Sequence, residues 1–205
     1  MNNIINHLDD INKISQNPYF INLPNLSLEQ FVKSQKSFIH AINNWSKVLA
    51  ILIGRTDDPK NRIILLDNLN EENGNGDLSK THVNTFRELL KLCDYTGECN
   101  IEPHIYIFNK FLLDYVQNGD YNIAVAILGA IEYTYITVSK LIYEYLSKYI
   151  DVENKETHYH KHEIIDYKHA TDLFSIVGNE NVIKGLDIGY MLLYDLYVEM
   201  DKLVR

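Results

Sequence analysis

In the run HYHKHEIIDYKHATDLF, spanning residues 158–174, His162, Asp166 and His169 are separated by four and three positions. At about 100° per residue they fall within about 60° of one another around a helix. Leu173 and Ile176 continue that face, so the stripe that carries the polar triad also points toward a core. Three inward polar groups without partners would each cost on the order of 1–3 kcal/mol. A metal ion removes that cost, and two imidazoles with a carboxylate are donors that suit iron, manganese or zinc. The alternatives for this segment alone are a solvent-facing histidine-rich helix or an Asp–His hydrogen bond.

A second acid stands where an acid is costly. In LGAIEYTYITV, Glu132 is surrounded by apolar and aromatic residues, so its carboxyl must be protonated, paired or metal-bound. A tyrosine hydroxyl is the competing partner, since the chain holds 15 tyrosines. A third set lies in NLNEENGNGDLSKTHVNTF, where an acid ends one helix and His82 opens the next across a glycine-containing turn. Spacing leaves open whether that acid is Glu72 or Glu71, or whether both are solvated.

The elements that must hold these residues are helical throughout. Leu28, Phe31, Phe38, Ile42, Trp45, Leu49 and Leu52 recur at steps of three, four or seven and predict one long helix from about Ser27 to Gly54. Pro59 to Glu72 forms a second, closed by Asn73-Gly74-Asn75-Gly76, residue types that tolerate left-handed backbone. A third starts from an N-cap at Ser79 or Asp77 and ends near Cys93. Further helices are expected over Glu102 to Asn118, Tyr121 to Ile150, Glu156 to Val177 and Asn179 to Leu203. No strand pattern competes, so the expectation is an all-α protein, a seven-helix bundle forming one domain over residues 1–205.

Composition narrows the function classes. Nineteen Lys and Arg against 28 Asp and Glu give a net charge of −9 with scattered basic residues, which disfavours nucleic acid and anionic membranes as partners. The opening MNNIINHLDDINK has neither a charged n-region nor a continuous apolar run, so no secretory signal is expected in it. The apolar stretch Ala124 to Val138 is short for a membrane span and contains Glu132. Cys93 and Cys99 fit neither a disulfide framework nor a metal knuckle, and point to a cytoplasmic setting with reduced thiols.

Taken together, DNLNEENGNGDLSKTH, AILGAIEY and HxxxDxxH resemble, in order, the three metal-binding elements of the haem-oxygenase-like di-iron oxidases and oxygenases. The resemblance selects Glu72 over Glu71, because the family's ligand lies two residues before the first glycine. It implies a metal set of Glu72, His82, Glu132, His162, Asp166 and His169, and a seven-helix haem-oxygenase-like fold. Relatives of this kind include CADD-type proteins, UndA-type fatty-acid decarboxylases and oxygenases acting on amino acids. Ferritin-like bundles use paired Glu-x-x-His motifs, and this chain has no ExxH.

Three carboxylates and three neutral imidazoles sum to −3, and two ferrous ions would leave the site at about +1, suited to an anionic substrate. The implied cofactors are therefore two Fe(II), with an iron–manganese pair as the alternative, and O2 as co-substrate. The implied activity is oxidation of a small carboxylate-bearing molecule, an amino acid or a fatty acid. Two other readings stand beside it. One is CADD-like p-aminobenzoate formation from the protein's own tyrosine, with Tyr19, Tyr133, Tyr135 and Tyr159 near the elements; the other is a non-catalytic helical interaction protein. A homodimer is an assembly open to such a chain.

Overall fold

A computed structural model describes residues 2–151, 158–177 and 182–205. Among them are ten α-helices: α1 (Asn2–Ile11), α2 (Pro18–Asn22), α3 (Leu28–Gln35), α4 (Ile39–Arg55), α5 (Pro59–Glu72), α6 (His82–Leu92), α7 (Pro103–Asn118), α8 (Tyr121–Leu146), α9 (His158–Ile176) and α10 (Val182–Lys202). No strand occurs among the described residues. The expected starts at Glu156 and Asn179 lie outside those residues.

Ten helices rather than seven arise for two reasons. Short α1 and α2 carry too little periodicity to be read from sequence; α1 buries only Ile4 and Leu8, one turn apart. The long first helix is also broken, because residues Lys36–Phe38 tighten into a 3-10 turn between α3 and α4. That break coincides with Ser34 and Ser37, whose hydroxyls bond the Phe31 carbonyl and accept the Glu102 N–H. The step of seven between Phe31 and Phe38 bridges it, so both remain buried.

Helix ends are set by local chemistry. Ser27 and Gln30 form a reciprocal capping box at α3, Asp58 caps α5 with Pro59 behind it, and Asp120 caps α8. The third expected helix begins slightly later than read: Asp77 caps a 3-10 turn, and Thr81 caps α6. Between α5 and α6, Gly74, Asn75 and Gly76 all have positive φ, and a Cβ on Gly74 would fall 2.7 Å from the Lys80 carbonyl carbon. The turn therefore folds back tightly, and Glu72 and His82 face each other across it.

Helix α8 is the axis of the molecule, with α9 and α10 packed along it. It is long and apolar enough to cross a membrane by length and composition, and 72% of its most apolar window is buried inside the protein. Gly129 lets α9 come close: a Cβ there would meet the Phe174 ring at 2.4 Å. One turn beyond Gly129 stands Glu132, and less than two turns before Phe174 stands His169. The seam that brings the two helices together thus also brings their polar residues together.

Candidate metal centre

All six residues singled out in the sequence are buried and are carried by four helices. Glu72 is the last residue of α5 and His82 the first of α6, and Glu72 Oε2 lies 2.8 Å from His82 Nδ1. On α9, His162 Nδ1 is 2.7 Å from Asp166 Oδ1, and the His162 ring centre is 4.5 Å from that of His82. From α8, Glu132 Oε1 lies 4.0 Å from His169 Nδ1. Donor atoms of Glu72, Glu132 and His169 all fall within 4.8 Å of one another. Two donors at right angles on metal bonds of about 2.1 Å stand about 3 Å apart, so this spacing needs only small adjustment to hold an ion.

Electrostatics gives the same answer. Burial raises the Glu132 carboxyl well above its usual range, and the acids Asp166 and Glu72 push it further. Asp166 is raised for the same reasons, burial first and then Glu72, with His82 offsetting part of it. Glu72 differs: burial pushes it up, but the charge and hydrogen bond of His82, and then His162 and His169, outweigh burial and hold it low. Among the described residues, no Lys or Arg lines the cavity at this cluster. Three acids gathered in apolar surroundings without a fixed cation are a donor set suited to a divalent metal.

Around the set lie residues outside the six that the sequence reading put forward as ligands. Glu71, weighed as a rival to Glu72, faces outward and accepts the Nε2–H of His169. This leaves the Nδ1 lone pair turned inward, the arrangement by which a carboxylate commonly orients a metal-binding histidine. Trp45 donates its indole N–H to Glu132 Oε1 at 2.9 Å. His158, one turn before His162, packs its ring 4.4 Å from the His162 ring, and its Nδ1 is 3.3 Å from the Thr85 hydroxyl. For His158 the signal was present as a further step of four in the same run; for Trp45 it was an indole N–H, which seeks an acceptor when buried.

A cavity of about 60 Å³ opens onto the cluster. Glu72, His82, Glu132, His158 and His162 form its polar side; Phe38, Ala41, Ile42, Trp45, Phe108, Ile131, Tyr135 and Leu193 form the rest. Of the four tyrosines considered from sequence, Tyr135 alone lines this cavity, its ring 5.3 Å from His162. Tyr159 lies behind it and donates to Gln35, Tyr19 bonds Ser34 and Gln35, and Tyr133 faces away to donate to Asp9.

Comparison with known proteins gives a family and a fold. A family model described as iron-containing redox enzyme matches residues 34–183, a span that includes all six residues. Two crystal structures of a CADD-like protein of unknown function from Nostoc punctiforme superpose with TM-scores of 0.76 and 0.74 at 15% identity, covering 99% of this chain and 96% and 94% of theirs. At that identity the likeness is one of fold. No curated protein matches the sequence.

Proposed function

Since this chain belongs to the iron-containing redox enzymes and has a haem-oxygenase-like fold, we propose that it is a non-haem di-iron oxidase or oxygenase that uses O2 to oxidise a small carboxylate-bearing substrate. The observation that carries this reading is the convergence of three buried carboxylates and three buried imidazoles, with no lysine or arginine lining their cavity. Glu72, His82, Glu132, His162, Asp166 and His169 would hold the metal, as two Fe(II) or an iron–manganese pair. Bound iron supplies the electrons and the oxidising power that no side chain of this set provides.

The protein's part is to bind, orient and exclude water. Six ligands shared between two ions would leave coordination positions free for substrate. A carboxylate or amine head would sit at the cluster, and the wall of Phe38, Ile42, Phe108, Ile131 and Leu193 would receive the apolar remainder. This wall keeps water from the reacting carbon and strengthens the electrostatics of the site. An amino acid with an apolar side chain and the head of a fatty acid both meet these demands.

The test is anaerobic addition of Fe(II) to metal-free protein, counting retained iron, followed by admission of O2 with the visible spectrum recorded. Two irons per chain and an oxygen-dependent spectral change are expected. Failure to retain stoichiometric iron, or the same iron oxidation after His162→Ala and Glu132→Ala, would overturn the assignment.

Tyr135 favours a second reading, in which the protein's own tyrosine is consumed to form p-aminobenzoate, because that ring lines the cavity beside His162. Intact mass after aerobic turnover separates the two. Loss of mass at Tyr135 supports self-consumption; an unchanged chain with multiple turnovers excludes it.

A further inference from the structure

Trp45 is the single tryptophan of the chain, and it meets the site in two ways. Its indole N–H donates to Glu132 Oε1 at 2.9 Å. Its ring forms part of the cavity wall, where it alone among the lining residues is partly exposed while the others are buried. The indole therefore stands between the cavity and solvent.

The residue is only partly buried, yet its N–H is given to a carboxyl that is itself buried on another helix, α8. An indole N–H only donates, so Trp45 cannot ligate a metal and must act through Glu132. A carboxylate on a metal can swing about its last torsion between one-oxygen and two-oxygen contact. A donor fixed on Oε1 removes that freedom. Asn68, buried on α5, also faces Glu132. A neutral donor orients the carboxylate without cancelling the charge that a metal requires.

Resting on the metal centre proposed above, we infer that Trp45 is a positioning residue for it: the indole N–H sets the orientation in which Glu132 meets the metal, and the ring screens the cavity mouth from water. One residue thus ties the geometry of a ligand to access to the substrate space. If Glu132 turns, the indole loses its anchor at the rim.

The experiment uses the full chain. Trp45→Phe keeps an aromatic ring at the rim and removes the N–H. Iron affinity is measured anaerobically against a chromophoric chelator, with metal-free helicity and melting temperature as folding controls. Trp45→Phe is expected to match wild type in both controls and to bind iron at least about tenfold more weakly, the range seen when groups orienting metal ligands are removed. Affinity within twofold of wild type overturns the inference while leaving the metal centre intact. A wild-type protein that retains no iron overturns the metal centre itself, so the two failures are distinguishable. A measurement on the unmutated chain stands independently of the variant's folding: with the indole labelled with 15N, its single N–H resonance should shift on addition of diamagnetic Zn(II). A resonance that stays in place through saturation overturns the inference.

Discussion

His169 gives its Nε2–H to Glu71 and turns Nδ1 toward Glu132, 4.0 Å away. Two adjacent acids at the end of α5 thereby take different work: Glu72 points into the cluster and Glu71 orients one of its histidines from outside. Glu71 is also 3.6 Å from the Lys168 ammonium at the surface end of this contact.

Glu71→Ala should weaken iron binding by about 10–100-fold without unfolding the protein, since it removes the group that sets the His169 tautomer. Glu71→Gln, whose side-chain carbonyl still accepts the N–H, should recover most of the loss. Chelator-competition titration reads both. Equal affinity for Glu71→Ala and wild type would refute the orienting role.

The stability of the metal-free protein should fall as pH rises from the carboxylate range toward neutrality. Glu132 and Asp166 have folded values raised above 4.5 and 3.8, chiefly by burial, so the folded state holds protons that the unfolded chain has released. Their contribution is present below those ordinary values and is lost as pH climbs through the raised ones. Glu72, held below its ordinary value, acts oppositely and loses its contribution only as pH falls below 4.5. Metal replaces the extra protons, so iron affinity should increase with pH over the same window. Melting scans from pH 4 to 8 with and without metal test this; a metal-free melting temperature that rises across the window contradicts it.

Gly129→Ala should separate α8 from α9, because the new methyl falls 2.4 Å from the Phe174 ring. A cost of about 1–3 kcal/mol is expected for overpacking at such a seam. Iron content should also drop, since Glu132 and His169 ride on the displaced helices. Adding Phe174→Leu makes room for the methyl and should restore part of both; no recovery in the double variant would point to another cause.

Removing metal should loosen α9 more than α8. The inner face of α9 carries His162, Asp166 and His169, which contribute to packing chiefly when coordinated, whereas α8 is lined by apolar residues along its length. Hydrogen exchange across residues 158–176 should quicken on chelation while residues 123–142 remain protected. Equal protection of α9 in both states would count against a metal-dependent helix.

Much of the centre was legible because its spacing is local. Helical pitch alone places His162, Asp166 and His169 on one face, and the same pitch marks Glu132 as an acid on an apolar helix; both follow from chemistry within a few turns. The turn between Glu72 and His82 was readable for a related reason, since only Gly and Asn accept three successive left-handed residues at low cost. The break between α3 and α4 was not readable, because the apolar stripe steps across it and the hydroxyl of Ser37 finds its partner at Glu102. Nor do physical spacings separate Glu71 from Glu72. Adjacent acids at a helix end differ by about 100° of rotation, and only the approach of α9 decides which of them meets the cluster and which meets His169 from behind. The partner of Trp45 was likewise decided by packing, as its acceptor lies 87 residues away on α8. Donor types and their faces are properties of local sequence; which donor meets which is fixed by the distances between helices.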